Sequence, residues 1–363
     1  MKLRCAVAGA TGIAGQQFLV ALQSHPWFEV VRLAGSERSA GKTYRHAITS
    51  PSGQIGWNVA EPMPAQFAEM AVVEGSKLDL SGLDLVFTAV ESDAAKALEP
   101  IYAAELPTIS TASAFRYETD VPILIPAVNG DQSALIRVQQ EHRKWKGFVV
   151  PIPNCTTTGL AVALAPLHQT FGLEKVIMTS MQAVSGAGRS PGVIALDVID
   201  NVIPYIPKEE EKVQTEVKKI LGKLVGGVVI EPDPVQVSAT CTRVGVLDGH
   251  FETATVALSR PATMDQVKAA MQTFGRDMTP ATHPSAPERW ITVHDDPYRP
   301  QPRRDRDADR GMTTSVGRLR EETVLGPHGV KFVLLSHNTK MGAAMGAVLV
   351  AEDLLKRGFI KQR

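Results

Sequence analysis

The sequence is short of cysteine: only three thiols, Cys5, Cys155 and Cys241, occur among 363 residues. So few cysteines, so widely separated, exclude the disulfide framework of a small secreted domain. No cysteine–histidine pair has the spacing of a zinc site, and we therefore expect no metal.

Long apolar runs are absent as well. None approaches the ~18 residues of a membrane-spanning helix, and the N-terminal run stops at glycines too soon to be the hydrophobic region of a signal peptide. An excess of either charge is also absent, because 38 basic residues balance 38 acidic ones. A neutral chain gives no electrostatic reason to bind nucleic acid or an acidic membrane. We expect a cytoplasmic protein that binds neither.

The composition that remains is that of an ordinary globular protein, with 44% hydrophobic and 21% charged residues and enough length for two domains. Over the first ~150 residues short strands alternate with helices, which predicts an α/β fold with a parallel, doubly wound sheet. After Cys155 the strand-like runs are longer, which predicts a large mixed sheet covered by helices on one side. Residues 209–224 predict a helix with one apolar face: Val213, Val217, Ile220, Leu221 and Leu224.

The first candidate site is a glycine-rich turn between the first predicted strand and the first predicted helix. Gly9, Gly12 and Gly15 form the pattern G-x-x-G-x-x-G there. Backbone amides at such a helix start can hold a pyrophosphate, with the positive end of the helix dipole behind them. A merely tight turn is the alternative, but the strand before it and the helix after it favour a nicotinamide dinucleotide.

The end of the second predicted strand indicates which dinucleotide binds. An NAD site usually has an acid there for the ribose 2′-hydroxyl. This chain instead has four residues suited to a 2′-phosphate: Ser36, Arg38, Ser39 and Lys42. Glu37 lies among them, and the alternative is a solvated basic loop. The prediction is NADP.

A cysteine at a predicted helix start is the second candidate site. Cys155 lies in PNCTTTG, directly before a run of small and apolar residues. Unpaired amides and the helix dipole stabilise a thiolate and lower its pKa, and the same amides can hold an oxyanion on an attached substrate. Asn154 is placed to orient the thiol. The alternative, a buried small hydrophobe, suits Cys5 and Cys241 better.

A nucleophilic thiol joined to a nicotinamide domain predicts aldehyde chemistry, in which a thiohemiacetal and a thioester are related by hydride transfer. Such chemistry needs a base, and nine histidines are present. His250 follows the turn LDG and lies seven residues after Arg243, a spacing that brings an imidazole and an anion-binding guanidinium towards one pocket. His337 is the second choice. The other histidines are expected in solvent: His25, His46, His142, His168, His283, His294 and His328.

Specific motifs extend over essentially the whole chain: GATGIAGQ, SERSAGKTY, PNCTTTGL, MQAVSGAG, RVGVLDGH and LSHNTKMGAA. Together they resemble the aspartate-semialdehyde dehydrogenase family, in its archaeal and fungal-like branch. The resemblance implies NADPH-dependent reductive dephosphorylation of L-4-aspartyl phosphate to L-aspartate 4-semialdehyde through a cysteine thioester. That reaction belongs to the biosynthesis of the aspartate-family amino acids lysine, threonine and methionine.

The resemblance also implies catalytic and amino-acid-binding roles at matching positions. Cys155 would be the nucleophile, His250 the acid/base, and Gln182 the residue that orients the bound acyl group. Arg243 would pair with the substrate α-carboxylate, and Glu209 would face its ammonium. For each charged residue the alternative is a solvated surface position.

Phosphate and cofactor contacts are implied in the same way. Arg116 and Lys212 would hold phosphate, and Glu209 and Lys212, three residues apart at a helix start, share a face. The neighbouring Glu210 and Glu211 are expected in solvent. The NADP contacts of the family fall on these positions: Gly9, Thr11, Gly12, Ile13, Ala14, Ser36, Arg38, Ser39, Ser185, Gly186 and Asn338.

Domain organisation follows from the same resemblance. Residues 1–153 would form the NADP-binding domain, which a helix at 340–363 would complete. Residues 154–339 would form the catalytic and dimerisation domain of a homodimer or homotetramer. The expected partners are small molecules: the acyl phosphate, the semialdehyde and phosphate.

The sequence departs from the family pattern at Glu91, Thr111, Ile152 and the pair Arg189–Ser190. Glu91 and Arg189 add charge near the expected cleft, so the acyl substrate is less well defined than the reaction class. One alternative is an acyl-thioester reductase similar to malonyl-CoA reductase. Another is a catalytically silent NADP-binding paralogue. The presence of all four proposed catalytic and binding residues argues against this alternative: Cys155, His250, Arg243 and Arg116.

Overall fold

A computed structural model describes residues 2–187 and 195–362 of the chain. Two large sheets organise these residues, one before Cys155 and one after it. Within the described ranges no helix is both long and apolar enough to cross a membrane. The departure from the family pattern at Arg189–Ser190 lies outside the described residues.

Six strands form the first sheet: β1 (Leu3–Ala8), β2 (Phe28–Gly35), β3 (Val72–Glu74), β4 (Leu85–Thr88), β5 (Pro107–Ser110) and β6 (Phe148–Pro151). All neighbours are parallel, in the spatial order β3-β2-β1-β4-β5-β6. The order reverses between β1 and β4, so the carboxyl end of β1 lies where doubly wound sheets bind ligands. The helices of this part are α1 (Ile13–Leu22), α2 (Tyr44–Ala47), α3 (Ala65–Ala68), α4 (Ser92–Ala103), α5 (Pro126–Asn129) and α6 (Leu135–Arg143).

From Cys155 onward the described residues form six further helices: α7 (Cys155–Phe171), α8 (Ala195–Val198), α9 (Glu209–Ile220), α10 (Met264–Thr273), α11 (Pro302–Asp305) and α12 (Met345–Lys356). The strands of this part are β7 (Leu173–Gln182), β8 (Val202–Ile203), β9 (Lys223–Val225), β10 (Val229–Glu231), β11 (Gln236–Val244), β12 (His250–Leu258), β13 (Ile291–Val293), β14 (Thr314–Glu322) and β15 (Gly329–Ser336). Strands β9 and β10 form a separate hairpin. The other seven form a mixed sheet in the order β13-β14-β15-β12-β7-β11-β8.

Helices cover one face of this mixed sheet. Leu160 and Leu164 of α7, Val217 of α9 and Met271 of α10 are buried with the strands in one core. Burying a side chain of this kind stabilises a fold by about 1.5–3 kcal/mol, which explains why α7 is apolar on all sides. The predicted fold class, a Rossmann-type domain with an α+β domain built on a large mixed sheet, is confirmed.

The C-terminal helix α12 packs against the first sheet. Val348 and Leu354 share a core with Phe18 of α1, and His25 Nε2 lies 2.7 Å from Glu352 Oε1. The expectation of solvated histidines is therefore wrong at His25. It is also wrong at a second of the seven histidines expected in solvent, because His283 is buried as well.

The predicted helix over 209–224 is too long. Helix α9 ends at Ile220, and Gly222 follows, a residue type that commonly ends helices. Leu224 instead lies in β9 opposite Ile230. The other members of the predicted apolar face are buried as expected: Val213, Val217, Ile220 and Leu221.

Candidate active site

The glycine turn joins β1 to α1 as the sequence predicts, with Gly12 as the N-cap of the helix. Gly9 has φ +80°, and a Cβ there would lie 2.2 Å from the carbonyl oxygen of Ala89. A Cβ at Gly15 would lie 2.1 Å from Gly9 O. Only glycine fits at both positions, and the open backbone they leave at a helix N-terminus suits a pyrophosphate. The turn therefore fits a dinucleotide.

The loop after β2 presents the side chains expected at a 2′-phosphate. Ser36 and Arg38 are exposed, whereas Ser39 is buried. Among the described residues the Arg38 guanidinium makes no ion pair, and Lys42 Nζ donates to the Arg38 carbonyl at 2.8 Å. Lys42 thus stabilises the loop conformation that presents Arg38.

Helix α7 begins at Cys155 itself. Asn154 is its N-cap, and Oδ1 of this side chain accepts hydrogen bonds from the backbone amides of Thr156 at 2.9 Å and Thr157 at 3.2 Å. Capping of this kind typically stabilises a helix by about 1 kcal/mol. The cap therefore fixes the position of the thiol relative to the first turn of the helix.

His250 faces the thiol from the first residue of β12. Its Nε2 lies 3.2 Å from Cys155 Sγ, and its Nδ1 accepts a hydrogen bond from the backbone amide of Ala183 at 3.1 Å. An accepting Nδ1 places the proton of the neutral ring on Nε2. Burial lowers the pKa of His250 to about 3; Glu209 opposes this shift, and Arg243 adds to it. The imidazole is therefore neutral, with its N–H directed at sulfur.

The pKa of the Cys155 thiol is raised, whereas the sequence predicts that it is lowered. Burial raises the pKa of Cys155 to about 12, and Glu209 raises it further, whereas Arg116, Arg243 and the Thr156 amide lower it. The helix start acts in the expected direction, but desolvation of the charged form outweighs it. The pair is thus a neutral thiol beside a neutral imidazole.

Glu209 connects several groups around the thiol. Its Oε1 accepts hydrogen bonds from Asn154 Nδ2 at 2.8 Å and Gln182 Nε2 at 3.3 Å, and Lys212 Nζ lies 3.3 Å from Oε2. Burial alone would raise the pKa of Glu209, but the Lys212 ammonium and the hydrogen bond from Asn154 bring it below its usual value. An ionised carboxylate thus lies within the site.

Arg243 lies opposite Gln182 in the pairing of β11 with β7. Its Nη1 donates to the carbonyl of Ala183 at 2.7 Å, the residue whose amide also binds His250. A Cβ at Gly186 would lie 3.1 Å from Arg243 Nη1 and 3.0 Å from His250 Cε1. The loop after β7 therefore lies closely over both the guanidinium and the imidazole.

Arg116 lies near the same site, where three hydrogen bonds to other residues of the protein hold its guanidinium. Its Nε donates to Ile152 O at 2.9 Å, its Nη2 to Thr111 O at 2.9 Å, and its Nη1 to Glu216 Oε1 at 3.0 Å. Two of these acceptors are backbone carbonyls, so the family departures at Thr111 and Ile152 leave the contacts of Arg116 unchanged. A guanidinium has five N–H donors, so two remain for an anion.

Sequence reasoning missed Glu216 and misplaced Glu210. Glu216 lies seven residues after Glu209, a helical spacing that places both on one face of α9, and this spacing was a usable signal. Glu210 was expected in solvent, yet its Oε1 accepts a hydrogen bond from the backbone amide of Cys241 at 3.0 Å. Glu211 is exposed. Glu91 is exposed at the N-cap of α4 and makes no capping hydrogen bond.

A cleft of about 820 Å³ lies between the start of α1 and the loop after β7. Ile13 of α1 lines one wall, and Ser185 and His337 line the other. Asn338 donates to Ser185 Oγ and accepts from the amide of Gly249, both at 2.8 Å. The volume of this cleft is within the range of small-molecule and cofactor sites. Among the described residues no group of acidic, histidine and cysteine side chains could hold a metal ion.

A doubly wound nucleotide-type domain joined to a Cys–His pair defines a class, the dehydrogenases that work through a thiol. Two family models match the chain: the semialdehyde dehydrogenase NAD binding domain over residues 4–136 and the semialdehyde dehydrogenase dimerisation domain over residues 164–341. The chain belongs to the semialdehyde dehydrogenase family.

Individual relatives match nearly end to end. The aspartate-semialdehyde dehydrogenase of Archaeoglobus fulgidus is 43% identical over 363 residues, 99% of this chain and 100% of the relative. That of Saccharomyces cerevisiae is 39% identical and covers 98% of each chain. The structure of the Candida albicans enzyme with NADP is 37% identical, with a TM-score of 0.87 over 99% of this chain and 100% of that one.

Proposed function

We propose that the protein is an NADPH-dependent aspartate-semialdehyde dehydrogenase, which reductively dephosphorylates L-4-aspartyl phosphate to L-aspartate 4-semialdehyde. The observation that carries the proposal is the Cys155–His250 contact of 3.2 Å, in a chain whose glycine turn fits a dinucleotide. The relatives named aspartate-semialdehyde dehydrogenase support the substrate, and the Candida albicans structure with NADP supports the cofactor.

The first half-reaction is acyl transfer to Cys155. The sulfur attacks the acyl carbon, the carbon–oxygen bond to phosphate breaks, and the leaving phosphate takes the thiol proton, which balances the step without an external base. The Nε2–H of His250 stabilises negative charge that develops on the sulfur during the attack. This route suits a thiol whose pKa lies at about 12, because no free thiolate has to accumulate.

The second half-reaction is reduction of the thioester. NADPH supplies the hydride when bound. The Nε2–H of His250 donates a hydrogen bond to the oxyanion that hydride transfer leaves on the thiohemiacetal, and the carbon–sulfur bond breaks as the aldehyde carbonyl forms. Solvent supplies the one proton consumed, which ends on the sulfur of Cys155. The glutamine at 182 orients the acyl group, and Glu209 and Asn154 hold the helix start in place.

The remaining charged residues bind the two ends of the substrate. Arg243 binds the α-carboxylate and Glu209 the α-ammonium, while Arg116 and Lys212 bind the phosphate. The two unused N–H groups of Arg116 support this assignment, since a guanidinium binds phosphate best through two parallel hydrogen bonds. The proposed cofactor contacts are those of the glycine turn, the loop 36–39 and the Ser185–Asn338 wall.

We also propose the domain boundaries, assembly and location. Residues 1–153 with 340–363 form the NADP-binding domain and residues 154–339 the catalytic domain. The family dimerisation domain supports a homodimer or homotetramer, and Ile177, 47% exposed on the uncovered face of β7, supports the mixed sheet as the interface. The unpaired thiols of Cys5, Cys155 and Cys241 suit the reducing cytoplasm.

The test is the reaction in the oxidative direction. We expect NADPH to form from aspartate semialdehyde and NADP only when phosphate is present, and not to form in Cys155→Ala. Malonyl-CoA with NADPH is the parallel assay on the same protein. Efficient reduction of malonyl-CoA without phosphate-dependent oxidation of the semialdehyde would reject the aspartate substrate.

A further inference from the structure

The face of α9 that points into the site carries a third charged residue beyond Glu209 and Lys212. Glu216 follows at the spacing i, i+7 from Glu209 and has 0% of its surface exposed. Charged side chains are almost never fully buried unless they are paired. The burial of Glu216 therefore needs an explanation in its contacts.

Three donors from two separate segments bind this carboxylate. The backbone amide of Asn154 donates to Oε2 at 2.7 Å. On the other oxygen, Oε1 accepts from Arg116 Nη1 at 3.0 Å and from the Tyr117 hydroxyl at 3.1 Å. Asn154 begins the helix of Cys155, whereas Arg116 and Tyr117 belong to the segment after β5. Glu216 thus joins the start of the nucleophile's helix directly to the guanidinium.

We propose that Glu216 is a positioning residue that fixes the phosphate-binding guanidinium of Arg116 relative to Cys155. This inference rests on the proposed function, in which Arg116 binds phosphate. Glu216 touches neither the sulfur nor the anion in this account. It acts by holding two N–H groups of other residues at one carboxylate, which sets the separation between the attacking sulfur and the leaving group.

The physical reason for this role is that the Arg116 guanidinium needs Glu216 to fix its orientation. Arg116 has two backbone carbonyl partners besides Glu216, but these bind Nε and Nη2 and not Nη1. Among the described residues Glu216 is the partner of Nη1, and it is the partner that carries the opposite charge, so the carboxylate is the contact that orients the Nη1 edge. In Glu216→Gln the neutral amide has one acceptor oxygen for three donors, and its NH₂ group opposes a donor. The guanidinium then loses its fixed orientation.

The experiment measures protection of Cys155 by inorganic phosphate. Wild-type protein is treated with iodoacetamide over a range of phosphate concentrations, and the alkylated peptide containing Cys155 is quantified by mass spectrometry. Phosphate is expected to slow alkylation of wild type. In Glu216→Gln the half-protecting phosphate concentration is expected to rise on the order of ten-fold. Glu211→Gln, on the exposed side of the same helix, is expected to match wild type.

The double variant tests whether Glu216 acts through Arg116. In an Arg116→Ala background, Glu216→Gln is expected to cause no further rise in the half-protecting concentration. Glu216→Asp, which keeps the charge, is expected to lie between wild type and Glu216→Gln, and it replaces Glu216→Gln if that variant does not fold. Thermal unfolding of each variant is recorded alongside, because a merely structural role would lower stability without changing phosphate dependence.

The outcomes separate this inference from the proposed function. Three results would each overturn the inference. The half-protecting phosphate concentration of Glu216→Gln could lie within two-fold of wild type, or Glu216→Gln could raise it further in the Arg116→Ala background. Phosphate could also fail to protect Cys155 in wild type. Failure of semialdehyde oxidation with intact, Glu216-dependent protection would instead overturn the aspartate substrate and leave the role of Glu216 standing.

Discussion

At the scale of single residues, Glu252 is the side chain whose burial is least compensated. It lies two residues after His250 on the same face of β12, it is fully buried, and neither of its carboxyl oxygens has a hydrogen-bond partner among the described residues. Burial raises its pKa well above the ordinary value, and Glu209 adds to the shift. The folded protein therefore holds Glu252 as a neutral acid, whereas the unfolded chain ionises it at neutral pH.

This difference makes stability depend on pH in a definite direction. Above the pKa of about 4.3 in the unfolded chain, the folded state binds the extra proton, so the free energy of unfolding falls as pH rises. Because glutamine does not ionise, Glu252→Gln removes this pH-dependent fall in the free energy of unfolding. We expect the variant to gain about 1.4 kcal/mol over wild type for each pH unit above 4.3, up to the folded-state pKa.

Urea denaturation at pH 5 and pH 7 measures the Glu252→Gln effect. The exposed Glu174 of β7 supplies the control, because Glu174→Gln is expected to differ from wild type by the same amount at both pH values. An advantage of Glu252→Gln that is equal at pH 5 and pH 7, or larger at pH 5, would contradict the neutral buried acid.

Arg38 offers a second residue-scale prediction. Its exposed guanidinium is expected to bind the 2′-phosphate of NADP, and a charge-assisted hydrogen bond of this kind contributes about 1.5–3 kcal/mol. Arg38→Ala should weaken NADP by roughly ten- to a hundred-fold and leave NAD nearly unchanged. Fluorescence titration of both cofactors checks this. Arg32→Ala, whose guanidinium is paired with Asp79, is the control and should change neither; equal loss for both cofactors would mean that Arg38 is structural.

What the sequence could predict about single residues depends on how local the interaction is. The helix start at Cys155 was predictable because the N-cap asparagine is its immediate neighbour. The direction of the thiol pKa was not, because it depends on desolvation and on charged groups, Glu209 among them, that lie far from Cys155 in sequence. Glu210 and His25 were misjudged for the same reason: their partners, Cys241 N and Glu352, lie 31 and 327 residues away.

At the scale of elements, α7 is packed so closely on the mixed sheet that one methyl group matters. A Cβ at Gly159 would lie 2.6 Å from the Cβ of Ser336 in β15. Glycine to alanine in a helix normally stabilises by about 1 kcal/mol. Here overpacking, which costs about 1–3 kcal/mol, should reverse the sign, and the shift of α7 should also move Cys155 and slow turnover.

The measurement is the free energy of unfolding of Gly159→Ala. Ser336→Gly removes the opposing Cβ, so the double variant is expected to recover most of the loss beyond the sum of the single effects. A Gly159→Ala protein that is more stable than wild type would show that the helix and the sheet are not in this close contact.

Element identity followed from sequence more reliably than element ends. Strand–helix alternation predicted the first sheet, and apolar spacing predicted α9, because both depend on local periodicity. The end of α9 was wrong because Leu224 fits a helical face and a strand equally well. Pairing with Ile230 in the β9–β10 hairpin decided the outcome, and single-segment periodicity contains no information on pairing.

At the scale of the whole molecule, the candidate site exists only because distant segments meet. Arg116 and Glu216 are 100 residues apart and lie on opposite sides of the nucleophile in sequence. Family resemblance placed Arg116 and Lys212 in one site, but periodicity and composition could not. The return of α12 to the first core is likewise a product of tertiary packing, and so is the cleft between α1 and the loop after β7.

The most direct test of this account is the covalent state of Cys155. Wild type is incubated with aspartate semialdehyde and NADP in phosphate-free buffer, quenched in acid, digested and analysed by mass spectrometry. We expect an aspartyl thioester on the peptide containing Cys155, which disappears when phosphate is added and never forms in Cys155→Ser. Phosphate-dependent turnover by Cys155→Ser, or an active wild-type enzyme whose acyl group is found on Cys241 instead, would contradict it.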